Sequence, residues 1–175
     1  EAHEFPRALF EKIGELGFFG MRYPEEAGGS GFGLFEVCLA VTEIARGSVS
    51  LAGCTTMQSL MGTHFLYELG NDDIRERLFA PALEGRKIGA ICMTEPNAGS
   101  DLSSIATTAV KVDGGWRING QKMWVTSAPV ADFFTVFAKA PVDSSGDEKA
   151  LTIFLVERDF EGLVIGRPIE KMGVW

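Results

Sequence analysis

The chain has 175 residues, long enough for one full domain or two small ones, and its 46% hydrophobic and 23% charged residues are an ordinary soluble-globular balance. A net charge of −8 argues against nucleic acid as the main partner, since phosphate binding needs a basic face, yet it leaves room for an anionic ligand held by a few local donors. No apolar run is long enough to span a bilayer. The three cysteines, Cys38, Cys54 and Cys92, form no C-x-x-C pair, which favours free thiols in a reducing compartment over a disulfide scaffold.

The first half reads as helices. Phe5, Leu9, Ile13 and Leu16 recur at helical spacing and predict a helix to about residue 17. The glycine-rich stretch 24–33 follows. It meets neither the G-x-G-x-x-G fingerprint in a βαβ context nor the Gly-Lys-Ser/Thr end of a P-loop, so it reads as a loop between helices. A periodic helix then places Leu34, Val37, Cys38, Val41, Ile44 and Ala45 on one stripe and closes at Arg46-Gly47. Ser48 or Ser50 is placed to cap the next helix, which runs through Met57, Leu60, Met61, Phe65, Leu66 and Leu69. His64 has no second ligand at metal spacing and reads as a helix histidine. Asn71 before Asp72 and Asp73 is an N-cap with acids in the first turn, and Pro81 helps to end that helix. Glu1 stands where a Met would open a complete chain, and the final residues break off in an extended stretch, so both ends read as cut from a longer protein.

Near residue 87 the periodicity changes. The apolar run 88–93 stops at Thr94, Pro96 forces an extended turn, and Gly99 permits close backbone approach before Ser100 and Asp101. Successive N–H groups in such a turn converge into an anion-binding nest, although Ser100-Asp101 also suits the cap of a short helical turn. Residues 107–112 are strand-like, and 113–115 form a turn. Trp116 to Ile118 leads into Asn119-Gly120, the strongest hairpin signal in the chain, with 121–126 returning from it. Strands at 133–139 and 151–157 flank the polar loop 143–148. On a returning strand Trp124 and Thr126 share one face and address one ligand; barrel packing is the plainer account of the indole. Cys92 has no His partner and reads as a buried strand thiol. The fold class is therefore α+β, an all-α part followed by an antiparallel β-barrel or sandwich.

The run Ile91-Cys92-Met93-Thr94-Glu95-Pro96-Asn97-Ala98-Gly99-Ser100-Asp101, followed by Trp124-Val125-Thr126, resembles the flavin-contacting motifs of the acyl-CoA dehydrogenase family. Stretches 15–20, 24–29, 43–46 and 170–173 resemble it too, in the family's order, so the resemblance covers essentially the whole chain. It implies the family's N-terminal helical domain over 1–87 and an incomplete middle β-barrel domain over 88–175, truncated before a C-terminal helical bundle. By the same resemblance, Thr94 and the backbone around Ile91 and Met93 would hydrogen-bond the pyrimidine edge of FAD. Gly99 and Ser100 would hold its pyrophosphate, with Ser100 also touching the acyl-CoA. Trp124 would lie against the ring face away from substrate, with Val125 counted among the cofactor contacts and Thr126 donating near N5.

The implied reaction removes the α-proton of an acyl-CoA thioester with a Glu from the C-terminal bundle and passes the β-hydrogen as hydride to flavin N5, giving a 2,3-enoyl-CoA. No catalytic residue is thus assigned within this chain, which by itself is expected to be inactive. The resemblance further implies an electron-transfer flavoprotein as acceptor, a homotetrameric parent, no metal, and a cytoplasmic (bacterial) or mitochondrial matrix location. An acyl-CoA oxidase or flavin monooxygenase of the same fold, or a non-catalytic acyl-CoA or flavin binder, would carry similar motifs here. Met57, Met61 and Phe65 are accounted for equally well as pocket lining or as core.

Overall fold

The computed structural model describes residues 4–142 and 149–172. The polar loop expected at 143–148, residues 1–3 and the last three residues lie outside the described residues.

Helix α1 (Arg7–Glu15) buries Phe10, Ile13 and Gly14, while Leu9 and Leu16 face solvent. The buried face is therefore turned by one residue from the stripe that periodicity predicts. Gly14 explains the turn: a Cβ there would fall 2.5 Å from the backbone of Glu84 and Gly85, so this face alone lets the helix approach that closely. Phe10 then stacks at 4.5 Å on Phe19, which is fully buried. The glycine-rich stretch is a loop, as read, closed by Gly28 at φ +83° and by a bond from Gly29 N to the Pro24 carbonyl.

Helix α2 (Leu34–Gly47) buries only Val37 completely; Ile44 packs partly against the core, and Leu34, Phe35 and Leu39 are exposed among the described residues. Ser48 caps α3 (Val49–Thr56) by accepting from Leu51 N at 3.2 Å. The chain continues through a π-helical turn, Met57–Gly62, into α4 (His64–Leu69). This wider turn points Gln58 into the interior, where the amide bolts the helical layer to the sheet. Its Nε2 donates to the carbonyls of Ala82 and Lys87 at 3.0 and 2.8 Å, and its Oε1 accepts from Gly89 N at 3.0 Å. Asn71 caps the short helix α5 (Asp72–Ile74), accepting from Ile74 N. His64 stands in α4 beside Phe65, its Nδ1 buried without a partner among the described residues, and no group of His, Cys, Asp or Glu there is placed to hold a metal.

Among the described residues five strands form one mixed sheet: β1 (Gly89–Cys92), β2 (Thr108–Val112), β3 (Gly115–Asn119), β4 (Phe133–Pro141) and β5 (Lys149–Glu157). Strand β4 is the spine. Its residues from Phe133 to Ala138 are buried on both faces, the mark of a central strand. It pairs antiparallel with β5 along its length, and its other edge carries β1 in parallel register, with a parallel contact to β2 at Lys139. The all-antiparallel expectation is therefore corrected. Residues 93–132 cross over between β1 and β4, and such a long connection delivers a strand in parallel.

The hairpin expectation is corrected as well. The tight turn is Asp113-Gly114, with Gly114 at φ +78°, joining β2 to β3. Asn119-Gly120 ends β3, and 121–126 form no strand. Gly120 is required for another reason: a Cβ there would run into the side chain of Thr107.

Helical layer and sheet meet at two glycines. A Cβ on Gly89 would lie 2.6 Å from the Phe133 ring and 2.7 Å from the Gly62 carbonyl. Gly89→Ala is expected to lower unfolding free energy by about 1–3 kcal/mol, read by denaturant unfolding of the purified protein.

Candidate functional site

Past Cys92 the chain leaves the sheet. Residues 95–98 close a tight turn, Glu95 N to the Ala98 carbonyl at 2.8 Å and Ala98 N back to the Glu95 carbonyl at 3.2 Å. Asp101 then caps a short 3₁₀ turn, Leu102–Ser104, its carboxylate accepting from Ser103 N at 3.0 Å and Ser103 Oγ at 2.6 Å. The capping account of Asp101 is thus correct. The backbone N–H groups of Gly99 and Ser100 donate to no acceptor among the described residues, and a Cβ on Gly99 would meet nothing there within 4 Å.

Segment 121–127 lies against this turn, joined to it by a bond from Met123 N to the Thr94 carbonyl at 2.8 Å. Between them opens a cleft of about 310 Å³. The polar part of its wall comes from Thr94, Ser100 and Thr126, with the Gly99 backbone. The apolar part comes from Ile91, Met93, Leu102, Met123 and the Trp124 indole, and the π-helical turn adds Met57 from the helical layer. Every expected contact residue except Val125 therefore lines one cleft. Val125 turns inward and packs against the core cluster around Phe134. Met61 is exposed, and Phe65 packs edge-on against Phe137 at 5.8 Å, so of the three ambiguous side chains only Met57 reaches the cleft.

Trp124 and Thr126 meet for a different reason than strand alternation. Trp124 sits at φ +58° and Ser127 at φ +65°, a left-handed conformation that non-glycine residues adopt at a cost of roughly 1–3 kcal/mol each. These two kinks swing the indole and the hydroxyl to the same cleft. Arg158 holds the far end of the segment, donating to the carbonyls of Ala128, Pro129 and Ala131 at 3.3, 3.0 and 2.8 Å.

Sequence reasoning missed the pair beneath the cleft. Lys122 Nζ binds Glu95 Oε1 at 2.8 Å and the Met93 carbonyl at 3.1 Å, with 10% and 5% of the Lys and Glu side chains exposed. The Glu95 carboxylate also accepts from Ala106 N at 2.6 Å, Thr107 N at 3.0 Å and the Thr107 hydroxyl. The two residues lie 27 apart in the chain. Nothing in their local pattern links them beyond a lone acid directly after an apolar strand.

Burial pushes the Glu95 carboxyl up, but Lys122, the Thr107 hydroxyl and two backbone N–H groups outweigh it and bring the pKa down to about 2. Cys92 behaves as a buried thiol should, pushed up to about 12 by burial, with Lys122 opposing weakly. Asp101 is held below its ordinary value by the Ser103 hydroxyl and N–H. Neither carboxylate beside the cleft is a useful base near neutral pH.

Because the folded pKa of Glu95 lies below its unfolded value of 4.5, the carboxylate's stabilisation is complete above about pH 4.5 and disappears as pH falls toward 2. Unfolding free energy measured from pH 6 to pH 2 should therefore lose roughly 3 kcal/mol that Glu95→Gln does not lose.

The family model "Acyl-CoA dehydrogenase, N-terminal domain" matches residues 1–86, and "Acyl-CoA dehydrogenase, middle domain" matches residues 90–175. Benzylmalonyl-CoA dehydrogenase of Aromatoleum aromaticum is 71% identical over 175 residues, all of this chain and 45% of that protein. Butyryl-CoA dehydrogenase of Megasphaera elsdenii superposes with a TM-score of 0.86 at 32% identity, over 97% of this chain and 45% of that one. An acyl-CoA dehydrogenase from Bacillus anthracis complexed with FAD superposes with a TM-score of 0.83 at 30% identity, over 96% of this chain and 28% of that one. The chain thus spans less than half the length of these relatives. With both domain models matched in order along a fold of this shape, it belongs to the acyl-CoA dehydrogenase family.

Proposed function

We propose that this chain forms the flavin-facing part of an FAD-dependent acyl-CoA dehydrogenase whose substrate is an aryl-bearing malonyl-type thioester such as benzylmalonyl-CoA. The observation that carries the reading is one cleft bringing together a flat exposed indole, two threonine side chains, and the N–H groups of Gly99 and Ser100, which have no acceptor among the described residues. An isoalloxazine ring is flat and apolar on its faces and polar along one edge, so this wall suits it. The open side of Gly99 leaves a phosphate room to approach the backbone.

Within that reading each group has a distinct task. Trp124, 58% exposed, provides a stacking face that fixes the ring plane. Thr94 and Thr126 supply hydroxyl donors to the ring edge, and Gly99 and Ser100 offer N–H groups to the pyrophosphate. Met57, reaching in from the helical layer, packs on the acyl side as a flexible, polarisable contact for an aryl group. FAD, when bound, supplies the acceptor for the β-hydrogen as hydride. On this reading the base that takes the α-proton is the C-terminal Glu that the family resemblance implies; Glu95 itself is committed to Lys122 and Asp101 to its cap. An electron-transfer flavoprotein as acceptor and a tetrameric parent protein belong to the same proposal.

The substrate class follows the 71% identical relative. Its chemistry is coherent: in a benzylmalonyl thioester the α-hydrogen is flanked by two carbonyl carbons, the β-carbon is benzylic, and the product alkene conjugates with the ring.

Anaerobic titration of the full-length protein with benzylmalonyl-CoA, butyryl-CoA and isovaleryl-CoA is expected to bleach the oxidised flavin band with the first. Bleaching by a simple aliphatic thioester instead overturns the substrate class, and a band unmoved by all three overturns the dehydrogenase reading. Trp124→Ala should weaken FAD retention about tenfold, as loss of one stacked aromatic contact does, and Thr126→Val less; equilibrium dialysis reads both.

A further inference from the structure

The Glu95–Lys122 pair lies directly behind the wall that the cofactor would rest on. Lys122 Nζ touches the Met93 carbonyl oxygen, and Met93 and Thr94 both line the cleft. That carbonyl belongs to the peptide group whose other end is the N–H of Thr94. The Thr94 N–H donates to no acceptor among the described residues, so it is available to a ligand. A cation on the oxygen of a peptide group draws electron density toward itself and makes the N–H a stronger donor, an effect that grows in a low-dielectric setting. With 10% of its side chain exposed, Lys122 is in such a setting, and Glu95 keeps it there.

We propose that Lys122, fixed by Glu95, is a positioning residue that polarises the Met93–Thr94 peptide toward the ring edge of bound flavin and thereby sets the flavin's reduction potential. The inference rests on the cleft being the flavin site. Reduction adds negative charge to the ring, so a strengthened donor and a nearby positive charge favour the reduced form, whereas the Glu95 carboxylate partly offsets that charge. The two members of the pair therefore act on the potential with opposite signs, which a mere brace would not do. The other donors to Glu95, the N–H groups of Ala106 and Thr107 and the Thr107 hydroxyl, are uncharged, so Lys122 is the cation that the pair brings to the Met93 carbonyl.

The test uses the full-length, FAD-loaded protein with Glu95→Gln, Lys122→Gln and the double variant, reading the flavin midpoint potential by dye equilibration and FAD affinity by dialysis. Glu95→Gln, which leaves the ammonium uncompensated, is expected to raise the potential. Lys122→Gln is expected to lower it. Each shift should be about a tenfold change in the ratio of reduced- to oxidised-flavin affinity, or about 30 mV for a two-electron couple. The double variant should fall between the singles and below wild type. Where a single variant does not fold, the uncharged double variant carries the test, and a wild-type potential in it overturns the proposal. Shifts of the same sign in both singles, or weakened FAD binding at unchanged potential, also overturn it and leave the pair as a brace. Wild-type protein that takes up no FAD overturns the reading of the cleft, and the proposal with it.

Discussion

A buried carboxylate is tolerated only when it is paired and hydrogen-bonded, and Glu95 meets that condition by tying its own segment to two others. Its own segment follows β1, the backbone of Ala106 and Thr107 precedes β2, and Lys122 comes from the irregular segment after β3. The ion pair therefore does what a strand ladder does elsewhere in the domain, fixing the relative position of stretches that share no sheet register. Thr94, Ser100, Trp124 and Thr126 all hang from those stretches. Lys122 adds a second constraint by binding the Met93 carbonyl, so the end of β1 and the start of the Trp124 segment cannot separate without exposing a charge to the interior.

The helical layer serves the cleft more indirectly. Gln58 ties Ala82, Lys87 and Gly89 together, and the glycine contact between Gly62 and Gly89 brings the π-helical turn against β1. π-helical turns recur at functional sites because their extra residue redirects neighbouring side chains. Here the turn sends Gln58 inward and Met57 to the cleft, so one wall of the cleft and the junction of the two layers are built by adjacent residues.

Much of this was legible in the amino-acid order, for identifiable reasons. Ser48 and Asn71 cap helices where their side-chain chemistry says they should, and the apolar run 88–93 holds the strand Gly89–Cys92. The misreadings share a cause: local pattern was asked a question that tertiary contact decides. Leu9 and Leu16 fit a helical stripe, yet Gly14 turned the helix. Asn119-Gly120 has hairpin chemistry, yet its glycine answers to Thr107 and the turn belongs to Asp113-Gly114. Most residues that line the cleft stand in the motif the sequence displays, whereas the pairing of Glu95 with Lys122 does not show there, because a pairing across 27 residues leaves no local trace.

Trp124 holds a conformation that its backbone would adopt more comfortably as glycine, and glycine has no indole. If the cleft holds the flavin as proposed, selection for thermal robustness and selection for ligand contact pull on this position in opposite directions. A search for stabilised variants would be drawn to residue 124 and would gain stability there by removing the side chain that the cleft displays. A library meant to preserve binding should hold Trp124 fixed and seek its stability elsewhere, in the sheet or the helical layer.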